Sequence, residues 1–133
     1  MTPKLSIITV TFNAEAFIES TILSIGEQSF TDREYIVVDG LSKDSTCQIL
    51  ERHPAVVTKF ISEKDQGLYD AMNKAIDLAQ GEYLMFLNAG DLLYDKDSLK
   101  QAFEEGENVD LIYGDTAIID TNYEMVGMRH LRP

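Results

Sequence analysis

The run Leu84-Met-Phe-Leu-Asn-Ala-Gly-Asp91 carries an apolar stretch straight into an amide, a glycine and a carboxylate. A hard divalent cation takes carboxylate and carbonyl oxygens and often shares them with a substrate's phosphates. Asp91 offers one such oxygen, Asn88 a weaker neutral one, and Gly90 lets the backbone turn between them. The run also reads as an ordinary turn in which Asp91 caps the next helix. Taken alone, it does not separate the two readings.

Other polar groups follow apolar runs in the same way. Thr11 and Asn13 follow LSIITV, Asp39 ends EYIVVD, Asp65 comes just after VVTKFIS, and Asp115 follows VDLIYG. Asp39 could accept from the N–H edge of a base, or Asp39-Gly40 could be a plain strand–helix turn. Asp65-Gln-Gly67 could cap a helix. Lys74 could reach a phosphate, or simply pair with Asp70 one turn earlier. His53, Tyr69 and Tyr83 read as surface or packing residues, and Cys47 as a half-buried helix residue. One Asp after an apolar run means little. A polar group after five successive runs is a pattern.

The chain has 133 residues, 11 Lys and Arg against 23 Asp and Glu, and a net charge of −12. That balance argues against binding nucleic acid or an anionic membrane, both of which reward clustered Lys and Arg. A phosphate ligand would be repelled unless a cation such as Mg²⁺ or Mn²⁺ came with it. A 44% hydrophobic composition suffices for one globular domain over residues 1–133. The single cysteine, Cys47, allows no internal disulfide. The N-terminal apolar run is too short to span a bilayer and lacks a cleavage site. A cytoplasmic protein is expected, with the inner face of the membrane as an alternative location.

These residues need elements to position them. Leu5–Thr11 is nearly continuous, apolar and β-branched, as in a strand buried on both faces. Asn13 is expected to cap a helix through Ile18, Ile22 and Ile25. Glu34–Asp39 is a second strand. Ser42 is expected to cap a helix ending before Pro54. Val56–Ser62 is a third strand, followed by a helix through Leu68 to Ala79 that ends at Gly81. Glu82–Asn88 is a fourth strand, and Asp95 or Asp97 caps a short helix after it. Val109–Gly114 is a fifth strand, and Thr116–Val126 a hairpin turning near Thr121-Asn122. Alternating strands and helices predict an α/β, Rossmann-like, mostly parallel sheet with helices on both faces. Ligands of such sheets bind beyond the carboxyl ends of the strands, where the polar residues collect.

In combination, SIITVTFNAEAFIESTILSI, YIVVDGLSKDST, EKDQGLYDAMNKAI and GEYLMFLNAGD resemble the family 2 glycosyltransferases of GT-A fold, in particular bacterial members that build surface polysaccharides. The resemblance covers Leu5 to Asp115. It implies a nucleotide-diphosphate-sugar donor, commonly a UDP-sugar, a divalent metal, and a glycan or lipid-linked acceptor. It places Thr11, Asn13, Asp39 and Asp65 around the nucleotide, and Asn88 to Asp91 at the family's DxD-type metal motif. The sequence departs there, with Asn88 in place of the leading acid, so Asp91 matches the metal position best. The family's general base stands well downstream, so the resemblance implies an N-terminal donor-binding portion whose base lies beyond Pro133. Asp115 is the one candidate within the chain for the acceptor side. Two other functions remain open. One is a module that binds the nucleotide sugar without transfer. The other is a receiver-like signalling domain, which lacks support because the third strand ends FISEK and no Lys follows the fifth. An unfinished edge near the C-terminus could favour a homo-oligomer.

Overall fold

The computed structural model describes residues 2–131. Four parallel strands, β1 (Leu5–Thr11), β2 (Arg33–Asp39), β3 (Lys59–Ser62) and β4 (Tyr83–Phe86), form one sheet in the order β3-β2-β1-β4. Four helices alternate with them: α1 (Ile18–Gly26), α2 (Thr46–Glu51), α3 (Leu68–Leu78) and α4 (Ser98–Glu105). The chain then runs into an antiparallel hairpin of β5 (Thr116–Ile119) and β6 (Met125–Arg129). The α/β class, the parallel sheet and the hairpin agree with the sequence-based expectation.

Successive side chains of a strand point to opposite faces, which explains why β1 and β2 are apolar almost throughout. Leu5, Ile7, Tyr35 and Val37 join a core with Ile18, Ile22 and Ile25 of α1, Ile49 and Leu50 of α2, and Leu99 of α4. Ile8, Ile36 and Val38 pack on the other face against Ala71 and Ala75 of α3. Helices therefore cover both faces, with small residues on α3 admitting close approach. Where β4 borders the α3 face, Leu84 and Phe86 stay exposed. Among the described residues no helix is long and apolar enough to cross a membrane.

Several boundaries differ from expectation for local reasons. Asn13 does not cap α1, which starts at Ile18; Asn13 has φ +50° and turns its amide oxygen toward the Lys43 N–H. Ser42 does not cap α2, since its amide and hydroxyl both donate to Asp39; Asp44 accepts the Thr46 amide instead. Strand β3 begins only at Lys59 because the amides of Val56 and Val57 close a turn on the His53 carbonyl. Gly81 is not a helix C-cap: α3 ends at Leu78 and leaves through an extended Ala79. Gly81 is needed for a different reason, since a Cβ there would lie 2.5 Å from the Ser6 nitrogen of β1.

The largest correction concerns Val109–Gly114, which forms no strand. Asn108, with φ +58°, turns the chain, and Val109, Leu111 and Tyr113 face solvent. Ile112 packs over Gly106 at the end of α4. A continuous apolar run becomes a buried strand only where layers cover both its faces, and none of the described elements covers this one.

Candidate functional site

Register brings the carboxyl ends of three strands into a row, with Thr11 beside Asp39 and Asp39 beside Ser62. Asp39 is 0% exposed. Its Oδ1 accepts from the Thr11 hydroxyl at 2.8 Å and from the Ser42 hydroxyl. Its Oδ2 accepts from the Ser42 amide at 2.8 Å, the Ser62 hydroxyl at 2.7 Å and the Cys47 thiol at 3.4 Å. Burial pushes the Asp39 carboxyl up, but the donors from Ser42, Ser62 and Thr11 outweigh it and hold the group below its ordinary value. Burial beside the same carboxylate pushes the Cys47 thiol up. The base contact expected of Asp39 would have to be made beside the donors it already holds. Five protein donors occupy its two oxygens, and it fastens the strand ends together.

The two loops after β1 and β2 are laced to each other. The Asn13 amide donates to Ser42 Oγ, and the Lys43 amide donates back to Asn13 Oδ1, both at 2.8 Å. The Ala14 amide donates to Thr46 Oγ1, the Glu15 amide to Asp44 Oδ2, and the Ser45 amide to Glu15 Oε2. This lacing satisfies loop amides that no helix or strand pairs. It holds Phe12, 61% exposed, at the sheet edge with the Asn13 side-chain amino group, which has no hydrogen-bond partner among the described residues. Asp65 completes this side. Its Oδ1 accepts the Gly67 amide at 3.0 Å, and its Oδ2 lies 2.4 Å from where a Cβ on Gly40 would stand. Gly40 is thus what lets Asp65 reach the end of β2. Oδ2 has no hydrogen-bond partner among the described residues.

On the other side of β1, the chain leaves β4 through Leu87. The Tyr35 hydroxyl donates to Thr9 Oγ1, which donates to the Leu87 carbonyl at 2.7 Å. Asn88 to Asp91 then form a turn closed by the Asp91 amide on the Asn88 carbonyl at 2.9 Å, with Gly90 at φ +96°. Asp91 caps no helix, and neither its carboxylate nor the Asn88 amide has a hydrogen-bond partner among the described residues. No group of three or more His, Cys, Asp or Glu among those residues could cage a metal. That donor set suits an ion that takes one or two protein oxygens and completes its shell from phosphates and water, as Mg²⁺ does.

Two expected site residues are not brought into this edge as free groups. Lys74 Nζ donates to the Lys64 carbonyl at 2.8 Å and pairs with Glu63 at 3.2 Å and Asp70 at 3.5 Å. Desolvation pulls its pKa down, but the Glu63 and Asp70 carboxylates outweigh that and raise it. The ammonium closes the β3–α3 loop, and the phosphate contact expected of Lys74 would require it to leave these partners. Asp115 does not end a parallel strand. It stands at the base of the hairpin, where its Oδ2 meets His130 Nδ1 at 2.8 Å.

Sequence reading missed Phe12, Ser42, Ser62 and Thr21. Ser62 ends the β3 run and could have been aligned with Asp39. Phe12, between Thr11 and Asn13, could have been read as an aromatic at a ligand edge. Thr21 is a hydroxyl on the apolar stripe of α1, and nothing in its spacing separates it from the core residues Ile18, Ile22 and Ile25.

Comparison with known proteins bears on this edge. A profile of glycosyl transferase family 2 matches residues 6–128. The chain is 40% identical over 131 residues to a PGL/p-HBAD biosynthesis glycosyltransferase of Mycobacterium bovis (strain BCG / Pasteur 1173P2), covering 94% of this chain and 51% of that protein. The chain thus spans about half the length of this curated relative. Among solved structures it is similar to S. aureus TarS residues 1–349 in complex with UDP-GlcNAc, with TM-score 0.71, 30% identity, and 77% and 32% of the two chains covered. It is also similar to the mannosyltransferase PcManGT from Pyrobaculum calidifontis in complex with GDP-Man and Mn²⁺, with TM-score 0.74, 26% identity, and 90% and 36% covered.

Proposed function

This chain belongs to glycosyl transferase family 2, and from that premise we propose that it binds the donor in a GT-A glycosyltransferase. The donor is a nucleotide-diphosphate-sugar of the UDP type. The acceptor is a glycan or a lipid-linked molecule, and transfer proceeds with inversion. The observation that carries this reading is the Asn88–Asp91 turn. It presents an unpartnered carboxylate on the same sheet edge as the free Oδ2 of Asp65.

Each side of the edge then has a task. Phe12 offers a π-face to the base, and Asp65 Oδ2 accepts from the base or ribose. Asn13 donates its amino group, while Thr11 and Asp39 hold the shelf on which the nucleotide lies. Asp91, with Asn88 beside it, would hold Mn²⁺ or Mg²⁺. A divalent ion held by these residues would supply charge stabilisation for a departing diphosphate. The acceptor hydroxyl loses its proton to a general base, which we place outside the donor-binding residues named here.

Titration calorimetry of UDP, UDP-GlcNAc and GDP-Man with Mn²⁺ and with EDTA tests this reading. UDP binding strengthened at least tenfold by Mn²⁺, and not strengthened in Asp91→Ala, is the expected result. No metal-dependent binding of any of the three would sink it. A second reading, binding without transfer, is favoured by one observation: Asp115 is committed to His130. Transfer of sugar from UDP-GlcNAc to any acceptor by the chain removes that reading.

A further inference from the structure

Among the described residues the Asp91 carboxylate has no side-chain partner, so the backbone beneath it sets its position. One buried hydroxyl holds that backbone on both sides. Thr21, in the middle of α1 and 0% exposed, accepts the Gly90 amide on its Oγ1 at 2.8 Å. The same hydroxyl donates to the Asp91 carbonyl at 2.9 Å. The turn also lies against the start of α1, since a Cβ on Gly90 would be in ordinary van der Waals contact with Phe17, the residue before the helix, at 3.5 Å.

The tie is repeated along the helix. Ser24 Oγ accepts the Leu93 amide at 2.7 Å. Gln28 Nε2 donates to the Asp95 carbonyl at 2.6 Å, and its Oε1 accepts the Leu99 amide at 3.2 Å. Positions 21 and 24 fall on one face of α1, and Gln28 follows just past its end. That face would otherwise read as an apolar stripe with polar interruptions. Here the interruptions take up main-chain groups of the segment from Gly90 to Leu99, which forms no regular element before α4.

We propose that Thr21, seconded by Ser24, is the positioning residue for Asp91: its hydroxyl fixes the turn that aims the carboxylate at the donor's metal. The proposal rests on the reading of Asp91 as metal ligand. Groups that orient a ligand from behind typically change metal affinity 10- to 100-fold when lost. Thr21→Val keeps the β-branched shape and removes only the hydroxyl, leaving the Gly90 amide and the Asp91 carbonyl unpaired. Thr21→Ser restores the hydroxyl.

The test measures Mn²⁺ affinity of the UDP-saturated chain by electron paramagnetic resonance, and UDP affinity in EDTA by calorimetry. Wild type, Thr21→Val, Thr21→Ser and Asp91→Ala are compared. In Thr21→Val, Mn²⁺ affinity is expected to fall about 10- to 100-fold while UDP affinity in EDTA stays within twofold; Thr21→Ser is expected to recover to within about threefold of wild type. Loss of Mn²⁺ affinity in Asp91→Ala but not in Thr21→Val overturns the positioning role and leaves the metal-ligand reading standing. Unchanged Mn²⁺ affinity in Asp91→Ala overturns both. A parallel fall of UDP affinity in EDTA would mean that Thr21→Val damages the whole edge, and that too overturns the specific role. If Thr21→Val does not fold, Ser24→Ala carries the test: a severalfold loss of Mn²⁺ affinity at unchanged UDP affinity supports the proposal, and no loss overturns it.

Discussion

Strand β2 carries a buried carboxylate near each end, and the two ends solve the same problem differently. Near the amino end, Glu34 accepts from the Ser6 hydroxyl and the Gln80 amide, both at 2.6 Å, and pairs with Lys59 at 3.0 Å. Lys59 also donates to the Leu78 carbonyl, so one cation joins β2, β3 and the end of α3. At the carboxyl end, every donor on Asp39 is a neutral hydroxyl, amide or thiol. The amino end is closed and its charge matched. The carboxyl end is equally well hydrogen-bonded but keeps its negative charge, with Asp65 and Asp91 adding theirs. A diphosphate approaching that edge would be repelled unless a cation came with it, which is the electrostatic case for the metal in the proposed donor site.

The contrast can be broken by removing each carboxylate in turn. Asp39→Ala leaves five donors without their acceptor around a fully buried carboxylate position, with Ser42 and Cys47 half-buried and Ser62 at the surface. Unsatisfied buried groups cost roughly 1–3 kcal/mol each, with partial relaxation, so a loss of about 3–5 kcal/mol is expected. Glu34→Ala should cost less, about 2–3 kcal/mol, because the side chain of Lys59 is 30% exposed and can turn to water. Urea denaturation at pH 7 ranks the two. If Glu34→Ala proves the costlier, the ion pair and not the neutral network is the stronger fastening.

Acid sharpens the same comparison with a smaller effect. Desolvation raises the pKa of Glu34, but hydrogen bonds from Ser6, Gln80 and Lys59, with the Lys59 charge, bring it below its ordinary value; Asp39 is lowered too. A carboxyl with a depressed folded pKa contributes stability that is fully present above its unfolded pKa. That stability is lost as pH falls through the folded pKa, so the loss begins near pH 4 and continues below. Stability of the wild type should therefore be level from about pH 7 to 5 with respect to these groups and drop below about pH 4. Asp39→Asn should flatten that acid limb; a limb of unchanged slope would remove Asp39 from it.

Much of this was legible in the sequence, and the physics says why. Strands β1 and β2 are buried on both faces, so their apolar runs had one reading. The helical spacing of Ile18, Ile22 and Ile25 fixed α1, although Asn13, taken as its cap, turned out to serve the neighbouring loop. Val109–Gly114 has the composition of a buried strand, but burial depends on what covers a run, which the run itself does not encode. In the site, the position of Asp39 was legible and its occupation was not. Its donors come from Thr11, Ser42, Cys47 and Ser62, and only register and loop closure bring those together. Asp91 was read from its local run. The Thr21 hydroxyl that holds its turn was hidden in the apolar stripe of a helix.

The smallest expected effect tests whether the carboxyl edge truly lacks a cation of its own. Lys74 is the obvious source, because it follows Asp65 by less than three turns of chain and the sequence offers it to a phosphate. Its ammonium, however, already meets the Lys64 carbonyl, Glu63 and Asp70. To reach a diphosphate it would have to leave two carboxylates for one ligand, an exchange with little net gain at an exposed site. Lys74→Met should therefore change UDP affinity by less than about twofold, with or without Mn²⁺, and the loop it closes should exchange its amide hydrogens faster. A loss of tenfold or more in UDP affinity would show that the ammonium is released to the ligand. The carboxyl edge would then have its own counterpart of Lys59, and the contrast between the two ends of β2 would hold only before the donor binds.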